Sequence, residues 1–158
     1  MAVKFLVSKG AEVTILSTSP SKKVDAEKLG AHHFVVTRDA EQMKAAERSF
    51  DFIINTISAQ HEYNDYLPLL RVNGTMVLVG IPPESPSLAA VNLISKRRSI
   101  AGSMIGGIKE TQEMLDYCAE HNIVSDVEVI SMDYINDAFE RVMKGDVRYR
   151  FVIDMATL

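Results

Sequence analysis

The chain has 158 residues, 47% of them hydrophobic, which is typical of one globular domain with a substantial core. Its formal net charge of −4 and its lack of a basic stripe argue against nucleic acid as the main partner. No apolar run approaches the roughly 20 residues of a membrane-spanning helix, which argues against a membrane partner. We expect a single domain over 1–158, and the lone Cys118 predicts a cytoplasmic location without disulfides.

Helical and strand-like segments alternate along the first half of the chain. The pattern of apolar residues and breakers predicts, in order, helix 2–9 closed by Gly10, strand 12–16, helix 20–29 ending at Gly30, strand 33–36, helix 39–47, a fully buried strand 51–57, helix 61–70, a turn at Asn73-Gly74 and strand 75–79.

The same alternation continues after a proline-rich loop that begins at Gly80. The second half predicts helix 90–96, strand 99–104, helix 108–121 opened by Gly106-Gly107 with an apolar stripe of Ile108, Thr111, Leu115 and Cys118, helix 134–144 with an apolar face of Ile135, Ala138, Phe139 and Val142, and strand 149–154. Such alternation indicates an α/β fold with a doubly wound parallel sheet.

The most informative segment is 10–23, in which an apolar strand runs into three hydroxyl side chains, a proline and two lysines. Ser19 can cap a helix, and Pro20 suits its first position. Lys22 and Lys23 then oppose the helix dipole by about 0.3–1 kcal/mol each, which an anion bound there would compensate. The alternative is that both lysines are ordinary solvated surface residues.

The element order is that of a Rossmann-like dinucleotide-binding domain lacking its first strand. No Gly-x-Gly-x-x-Gly turn, which would hold a pyrophosphate, occurs in the sequence. The second strand of such a domain ends at the adenosine ribose, where an acidic residue suits a free 2′-hydroxyl and a cation suits a 2′-phosphate. Ser17, Thr18, Ser19 and Lys22 therefore favour NADP(H) over NAD(H).

A missing first strand would leave a gap beside the strand at 12–16. The other side of the gap would be the strand at 75–79 or the strand at 51–56. The neighbours could close up, or another segment or chain could fill the gap. The C-terminal strand 149–154 is the candidate within this chain.

Seven segments carry a family resemblance: Met1-Ala-Val-Lys-Phe5, Val13 to Ser19 with Lys22, Lys28-Leu-Gly-Ala31, Phe52-Ile-Ile-Asn-Thr56, Gly74 to Gly80, Ile100 to Gly106, and Asp146 to Asp154. In this order they resemble the nucleotide-binding half of the zinc-dependent medium-chain alcohol dehydrogenases, in the cinnamyl alcohol dehydrogenase-like branch. The resemblance covers essentially the whole chain, beginning just after the family's glycine motif.

The resemblance implies NADP(H)-linked interconversion of primary alcohols and aldehydes. It implies that the 2′-phosphate is held by Ser17, Thr18, Ser19 and Lys22. It further implies that the path from adenine to nicotinamide is lined by Thr56, Val79, Gly80, Ile81, Ser103, Met104 and Ile105. Alternatively, Thr56 and Ser103 are strand-end hydroxyls bonded to nearby backbone. Asn55 departs from the acidic residue that these proteins often carry there.

In that family, catalysis needs a zinc ion held by cysteine and histidine ligands of a separate domain. Cys118 and His121 supply only two candidate ligands on one helix, and His32 and His33 would face opposite sides of a strand. His61 opens a helix, where we expect it to cap the helix or contact solvent. We therefore predict no catalytic or metal-binding residue here, and a chain that is inactive alone with weakened or lost NADP(H) binding.

Three functions remain open. The chain is the NADP(H)-binding portion of an alcohol or aldehyde oxidoreductase, a non-catalytic nucleotide-binding or dimerisation module, or part of a zinc-free medium-chain reductase. An alcohol or aldehyde substrate is expected only in a full-length form. The resemblance also implies a homodimer paired through strand 99–104, because an apolar sheet edge favours such pairing.

Overall fold

The computed structural model describes residues 1–158 and contains seven α-helices and seven strands. The helices α1 to α7 are Ala2–Ser8, Lys23–Lys28, Ala40–Ala45, Tyr63–Tyr66, Val91–Ile94, Ile108–Glu120 and Ile135–Met143. The strands β1 to β7 are Thr14–Ser17, His33–Val36, Phe50–Asn55, Leu70–Leu78, Ser99–Gly102, Val127–Ile130 and Arg150–Ile153. No helix combines the length and the apolar character needed to cross a membrane.

All strand pairs are parallel, and they form three separate sheets. The sheet orders are β1-β2, β3-β4-β5 and β6-β7. A helix connects every two successive strands, as parallel pairing requires. The predicted α/β class with parallel sheets is confirmed.

The glycine stop signals after the first two helices act as the sequence predicts, whereas the predicted turn at Asn73-Gly74 lies inside β4. Gly10 and Gly30 follow α1 and α2 with φ of +78° and +97°, a region that glycine occupies without strain. Asp39 caps α3 by accepting hydrogen bonds from the backbone N–H groups of Glu41 and Gln42. The backbone N–H of Gln42 is the main reason that the pKa of the Asp39 carboxyl lies below its usual value.

The hydrophobic core lies between the three-stranded sheet and helices α3 and α4. Its buried members are Ala46, Ile53, Tyr63, Leu67, Leu69, Leu70 and Met76. The predicted helix 61–70 is too long, because α4 ends at Tyr66 and a 3-10 turn over Leu67–Leu69 leads directly into β4. Pro68 lies in this turn and has no N–H to extend a helical hydrogen-bond ladder.

The prediction that strand 51–57 is fully buried is wrong. Phe52 in β3 is 71% exposed, and Ile54 is also exposed, whereas Ile53 is buried. The reason is that β3 pairs only with β4, so its other edge borders an open groove. An apolar strand in this chain therefore has one side that no element covers.

The predicted apolar stripes of the two long helices are only partly buried. Ile108 is 94% exposed and Leu115 is exposed, while Cys118 is buried, because α6 contacts α1 near its C-terminal end. Tyr117 makes that contact by stacking on Phe5. In α7, Ala138 is buried, but Phe139 and Val142 are exposed.

The C-terminal strand does not fill a gap beside β1, so that prediction is wrong. It pairs instead with β6, a strand that the sequence pattern did not reveal, with Val127 opposite Arg150. Arg141 of α7 covers this pair by binding Glu128 at 2.8 Å and lying over the Phe151 ring. The short run Val127–Ile130 therefore provides the edge that β7 needs.

Candidate functional site

The predicted cofactor residues lie at or just after the carboxyl ends of four strands. Ser17 is the last residue of β1, and Thr18, Ser19 and Lys22 follow it. The other predicted residues follow β3, β4 and β5, namely Thr56, Val79, Gly80, Ile81, Ser103, Met104 and Ile105. Ligands of open parallel sheets bind at these strand ends.

The end of β1 presents hydroxyl groups and a free ammonium group. The Ser17 hydroxyl accepts a hydrogen bond from the Ser19 N–H at 3.3 Å, and the Ser19 hydroxyl pairs with that of Ser21 at 2.9 Å. Ser19 makes no capping bond, contrary to expectation, because a 3-10 turn follows it and Ser21 engages its side chain. Lys22 is exposed and belongs to none of the ion pairs in the structure.

The segments that follow β3 and β4 touch at Gly80. The Asn55 carbonyl oxygen accepts hydrogen bonds from the N–H groups of Val79 and Gly80, at 3.0 and 3.1 Å. A Cβ atom at Gly80 would lie 2.4 Å from the Ile57 carbonyl oxygen and 2.8 Å from the Thr56 carbonyl carbon. Only glycine allows this approach of two backbones at the strand ends.

A buried amide fixes the loop after β3. Asn55 is only 7% exposed, and its Oδ1 accepts a hydrogen bond from the Ile57 N–H at 3.1 Å. Its Nδ2 donates to His61 Nε2 at 2.8 Å, while His61 Nδ1 donates to the Ala59 carbonyl at 2.8 Å. His61 therefore acts inside this network and does not cap α4, while its side chain, which is only partly buried, keeps the expected contact with solvent. The sequence signal for this network is Asn55, a polar residue at the end of an apolar strand.

Replacing Asn55 by leucine should lower the free energy of unfolding by about 1–3 kcal/mol, because the Ile57 N–H and His61 lose their partner. Urea unfolding of the purified chain measures the change. Asn136→Leu, at an exposed position of α7, is the matched control. Equal stability of the two variants would show that the Asn55 network does not stabilise the fold.

The end of β5 is open to solvent. Met104 is 81% exposed, and Ile105 is more exposed still. Ser103 is anchored through its backbone, because its N–H donates to the Leu78 carbonyl at 3.0 Å. The exposed pair extends from an edge strand, since β5 pairs only with β4.

The residues of this chain do not fit a catalytic zinc ion. Cys118 is buried with its Sγ 3.6 Å from the Met114 sulfur, and His121 Nδ1 donates to the Tyr117 carbonyl. His32 accepts a hydrogen bond from the Val13 N–H, and no three His, Cys, Asp or Glu residues are arranged to hold a metal. A catalytic zinc site needs three protein ligands and one open position.

A separate depression of about 450 Å³ lies between α3 and α4. Its polar lining includes Thr37, Arg38, Lys44, Asn64 and Asp65. None of the predicted cofactor residues lines it. The lining carries both charge signs, so it favours neither an anion nor a cation.

Parallel strands connected by helices, with polar residues at the strand ends, define a Rossmann-type α/β fold. Residues 1–120 match the family model described as zinc-binding dehydrogenase. The chain belongs to this family. The relatives that it resembles are alcohol and aldehyde oxidoreductases.

Two curated relatives illustrate the similarity. The 8-hydroxygeraniol dehydrogenase of Catharanthus roseus is 55% identical over 99% of this chain and 44% of its own length. The aldehyde reductase YahK of Escherichia coli is 53% identical over 100% of this chain and 46% of its own length. The chain thus spans less than half the length of the curated relatives that it matches.

Solved structures give the same assignment. A cinnamyl alcohol dehydrogenase from Sorghum bicolor is 46% identical, with a TM-score of 0.93 over 99% of this chain and 44% of its own. The protein called CAD from Helicobacter pylori, solved as a complex with NADP(H), is 40% identical with a TM-score of 0.84 over 99% of this chain and 44% of its own. The predicted resemblance to the cinnamyl alcohol dehydrogenase-like branch is confirmed.

Proposed function

We propose that this chain is the NADP(H)-binding portion of an alcohol or aldehyde oxidoreductase and that it has no catalytic activity alone. The observation that carries the proposal is the end of β1, where the three consecutive hydroxyl residues Ser17, Thr18 and Ser19 are soon followed by the exposed Lys22, which forms no ion pair. No acidic side chain occurs between Ser17 and Lys22. Acidic side chains at this position favour a free 2′-hydroxyl, whereas hydroxyls and a cation suit a 2′-phosphate.

The other strand ends fit the rest of a dinucleotide. Gly80 brings the segments after β3 and β4 into backbone contact, so the predicted cofactor residues of these two segments lie next to each other. In this proposal Thr56, Val79 and Ile81 contact the cofactor beside Gly80, and Ser103, Met104 and Ile105 contact it beyond β5. The nicotinamide, when bound, supplies hydride chemistry, and these residues bind and orient it. The NADP(H) complex of the Helicobacter pylori relative supports this choice of cofactor.

The proposed lack of activity rests on the cysteine and histidine side chains that could bind a metal ion. Cys118 and His121 are engaged within α6, and the remaining histidines bond to backbone or to single side chains. Without a metal ligand set, the chain has no site for the zinc ion that polarises the alcohol oxygen in this family. The substrate and the zinc are therefore assigned to a full-length form of the protein.

Titration with NADPH and NADH, followed by nicotinamide fluorescence, tests the cofactor proposal. We expect NADPH to bind weakly, with a Kd of roughly 1 mM, and at least tenfold better than NADH. Lys22→Glu should remove this preference, because it places a negative charge beside the 2′-phosphate. Lys28→Glu, on the far end of α2, is the matched control and should keep the preference. An unchanged ratio in Lys22→Glu would remove the phosphate assignment.

The exposed edge of β5 favours a second candidate role, a dimerisation module. β5 pairs on one side only, and the apolar side chains of Ile94, Met104 and Ile105 are exposed around it. Pairing of strand 99–104 with its copy would cover this edge. Sedimentation velocity at micromolar concentration should then give a dimer. Because the Ser103 N–H bonds to β4, the N–H of the preceding Gly102 faces the open edge, so Gly102→Pro, which removes that N–H, should shift the chain toward monomer. A monomeric profile of the unmodified chain would rule the dimer out.

A further inference from the structure

One histidine beside the proposed cofactor site has both of its ring nitrogens hydrogen-bonded. His61 Nε2 lies 2.8 Å from Asn55 Nδ2, and His61 Nδ1 lies 2.8 Å from the Ala59 carbonyl oxygen. Both partners belong to the segment that leads from the end of β3 to α4, and Thr56 lies in the same segment. His61 therefore connects the two ends of the loop that contains Thr56.

The partners of these bonds leave one protonation state for the ring. The Ile57 N–H can only donate, so the Asn55 atom 3.1 Å from it is the amide oxygen, and Nδ2 faces His61. The Ala59 carbonyl can only accept, so His61 Nδ1 carries a hydrogen. His61 Nε2 then accepts a hydrogen from Asn55 Nδ2. The bonds therefore require a neutral imidazole whose hydrogen is on Nδ1.

Protonation of His61 is incompatible with this set of bonds. An imidazolium carries hydrogens on both nitrogens, so its Nε2–H and the Asn55 amide nitrogen would face each other as two donors. Rotation of the Asn55 amide would remove this conflict but would turn the amide nitrogen toward the Ile57 N–H. Because Asn55 is only 7% exposed, water has little access to replace the lost bond. A bond of the loop is therefore lost in either orientation of the amide.

The surroundings of the ring supply no ion-pair partner for an imidazolium. The rings of Tyr63 and Tyr66 contact it, with centroid distances of 5.1 and 5.9 Å. The carboxylates of the segments around it are those of Glu62, Asp65 and Glu84. None of them forms an ion pair with His61. The bonds to neutral partners therefore dominate the surroundings of this partly buried ring.

Few other contacts hold the loop in place. All residues from 56 to 60 are exposed, so apolar burial does not fix them. The Asn55 amide anchors the start of the loop, His61 anchors its end, and Gly80 contacts it from the side. Thr56, one of the predicted cofactor residues, lies between these anchors. The position of Thr56 therefore depends on the bond between Asn55 and His61.

We propose that His61 is a positioning residue, which as a neutral imidazole holds Asn55 and the loop that carries Thr56, and which releases this loop when it is protonated. The effect on the cofactor rests on the proposed NADP(H) site, whereas the effect on the loop needs no cofactor. Since the neutral form makes the bonds, the loop is held at high pH and released as the pH falls through the titration of the ring.

NMR of the isotope-labelled 158-residue chain tests the effect on the loop. At about pH 8, the ring nitrogen shifts of His61 should show a hydrogen on Nδ1 and none on Nε2. The pH is then lowered until these signals show imidazolium. The Ile57 backbone amide should follow the His61 titration curve, because its bond to Asn55 changes with the ring. His33, which binds Glu12 at 2.7 Å, is the internal control, and the Ile57 amide should not follow its curve.

Two variants separate the hydrogen bond from the titration. His61→Gln can accept from Asn55 through its amide oxygen and cannot titrate, so the Ile57 amide should keep its position at every pH. His61→Leu cannot accept, so at about pH 8 the Ile57 amide should show the shift that acid produces in the unmodified chain. NADPH titration at this pH should give a Kd roughly threefold higher for His61→Leu, as for the loss of one neutral hydrogen bond, and an unchanged Kd for His61→Gln.

Several results would overturn the proposal. A hydrogen on His61 Nε2 at high pH would mean that the ring does not accept from Asn55. An Ile57 amide that stays in place while His61 becomes imidazolium would mean that the ring does not hold the loop, and a pH response that persists in His61→Gln would assign it to another group. Equal NADPH affinity of all three proteins would remove the role in cofactor positioning. Absence of NADPH binding in all of them would overturn the proposed function instead, while the Ile57 titration would still decide whether His61 holds the loop.

Discussion

Leu67→Ala is expected to lower the free energy of unfolding by about 2–5 kcal/mol. Leu67 is 0% exposed and belongs to the core cluster between α4 and the three-stranded sheet. Its truncation removes apolar contacts and leaves a cavity that its neighbours can fill only partly. Since only 15 of 158 residues are buried, this loss is a large part of the roughly 5–15 kcal/mol that stabilises a domain.

Leu88→Ala is the matched control, because Leu88 is exposed in the loop before α5. Its effect should stay within about 0.5 kcal/mol, as for ordinary surface substitutions. Urea unfolding followed by circular dichroism measures both variants under the same conditions. Similar losses for the two leucines would contradict the position of the core.

Gly80→Ala is expected to destabilise the chain by about 1–3 kcal/mol, the usual cost of forcing atoms into a filled space. The new Cβ would lie 2.4 Å from the Ile57 carbonyl oxygen, and both nearest residues contribute backbone atoms that cannot rotate away. The segments after β3 and β4 must separate to admit it. NADPH binding should therefore weaken at the same time as stability falls.

Gly102→Ala separates this contact from the general effect of losing a glycine. A Cβ atom at Gly102, at the end of β5, meets no heavy atom within 4 Å. This variant should remain within about 0.5 kcal/mol of the unmodified chain. If Gly80→Ala is equally well tolerated, the two strand ends do not touch as closely as the structure has them.

The local features of the fold could be predicted from the sequence. The glycines at 10 and 30 ended helices, the prolines after Gly80 excluded regular structure, and the apolar runs became parallel strands. These features depend on the conformational preferences of neighbouring residues, which a single sequence contains. The positions of the candidate residues at strand ends followed from the same alternation.

Features that depend on distant partners could not be predicted. An apolar run such as that around Phe52 indicates burial, but whether its outer side is covered depends on which strand lies beside it. The pairing of β7 with β6 likewise depends on an edge offered by Val127–Ile130, a run too short to be distinctive. The bond between Asn55 and His61 depends on the path of the loop that separates them.

Amide NMR shifts of the chain on addition of adenosine 2′-monophosphate test most directly whether the end of β1 receives a 2′-phosphate. The proposal predicts shifts concentrated at Ser17 to Lys22, much larger than those caused by adenosine 5′-monophosphate. It predicts little change at Thr37 and Lys44, which line the depression between α3 and α4. Equal responses to the two nucleotides, or shifts centred on that depression, would contradict the NADP(H) assignment.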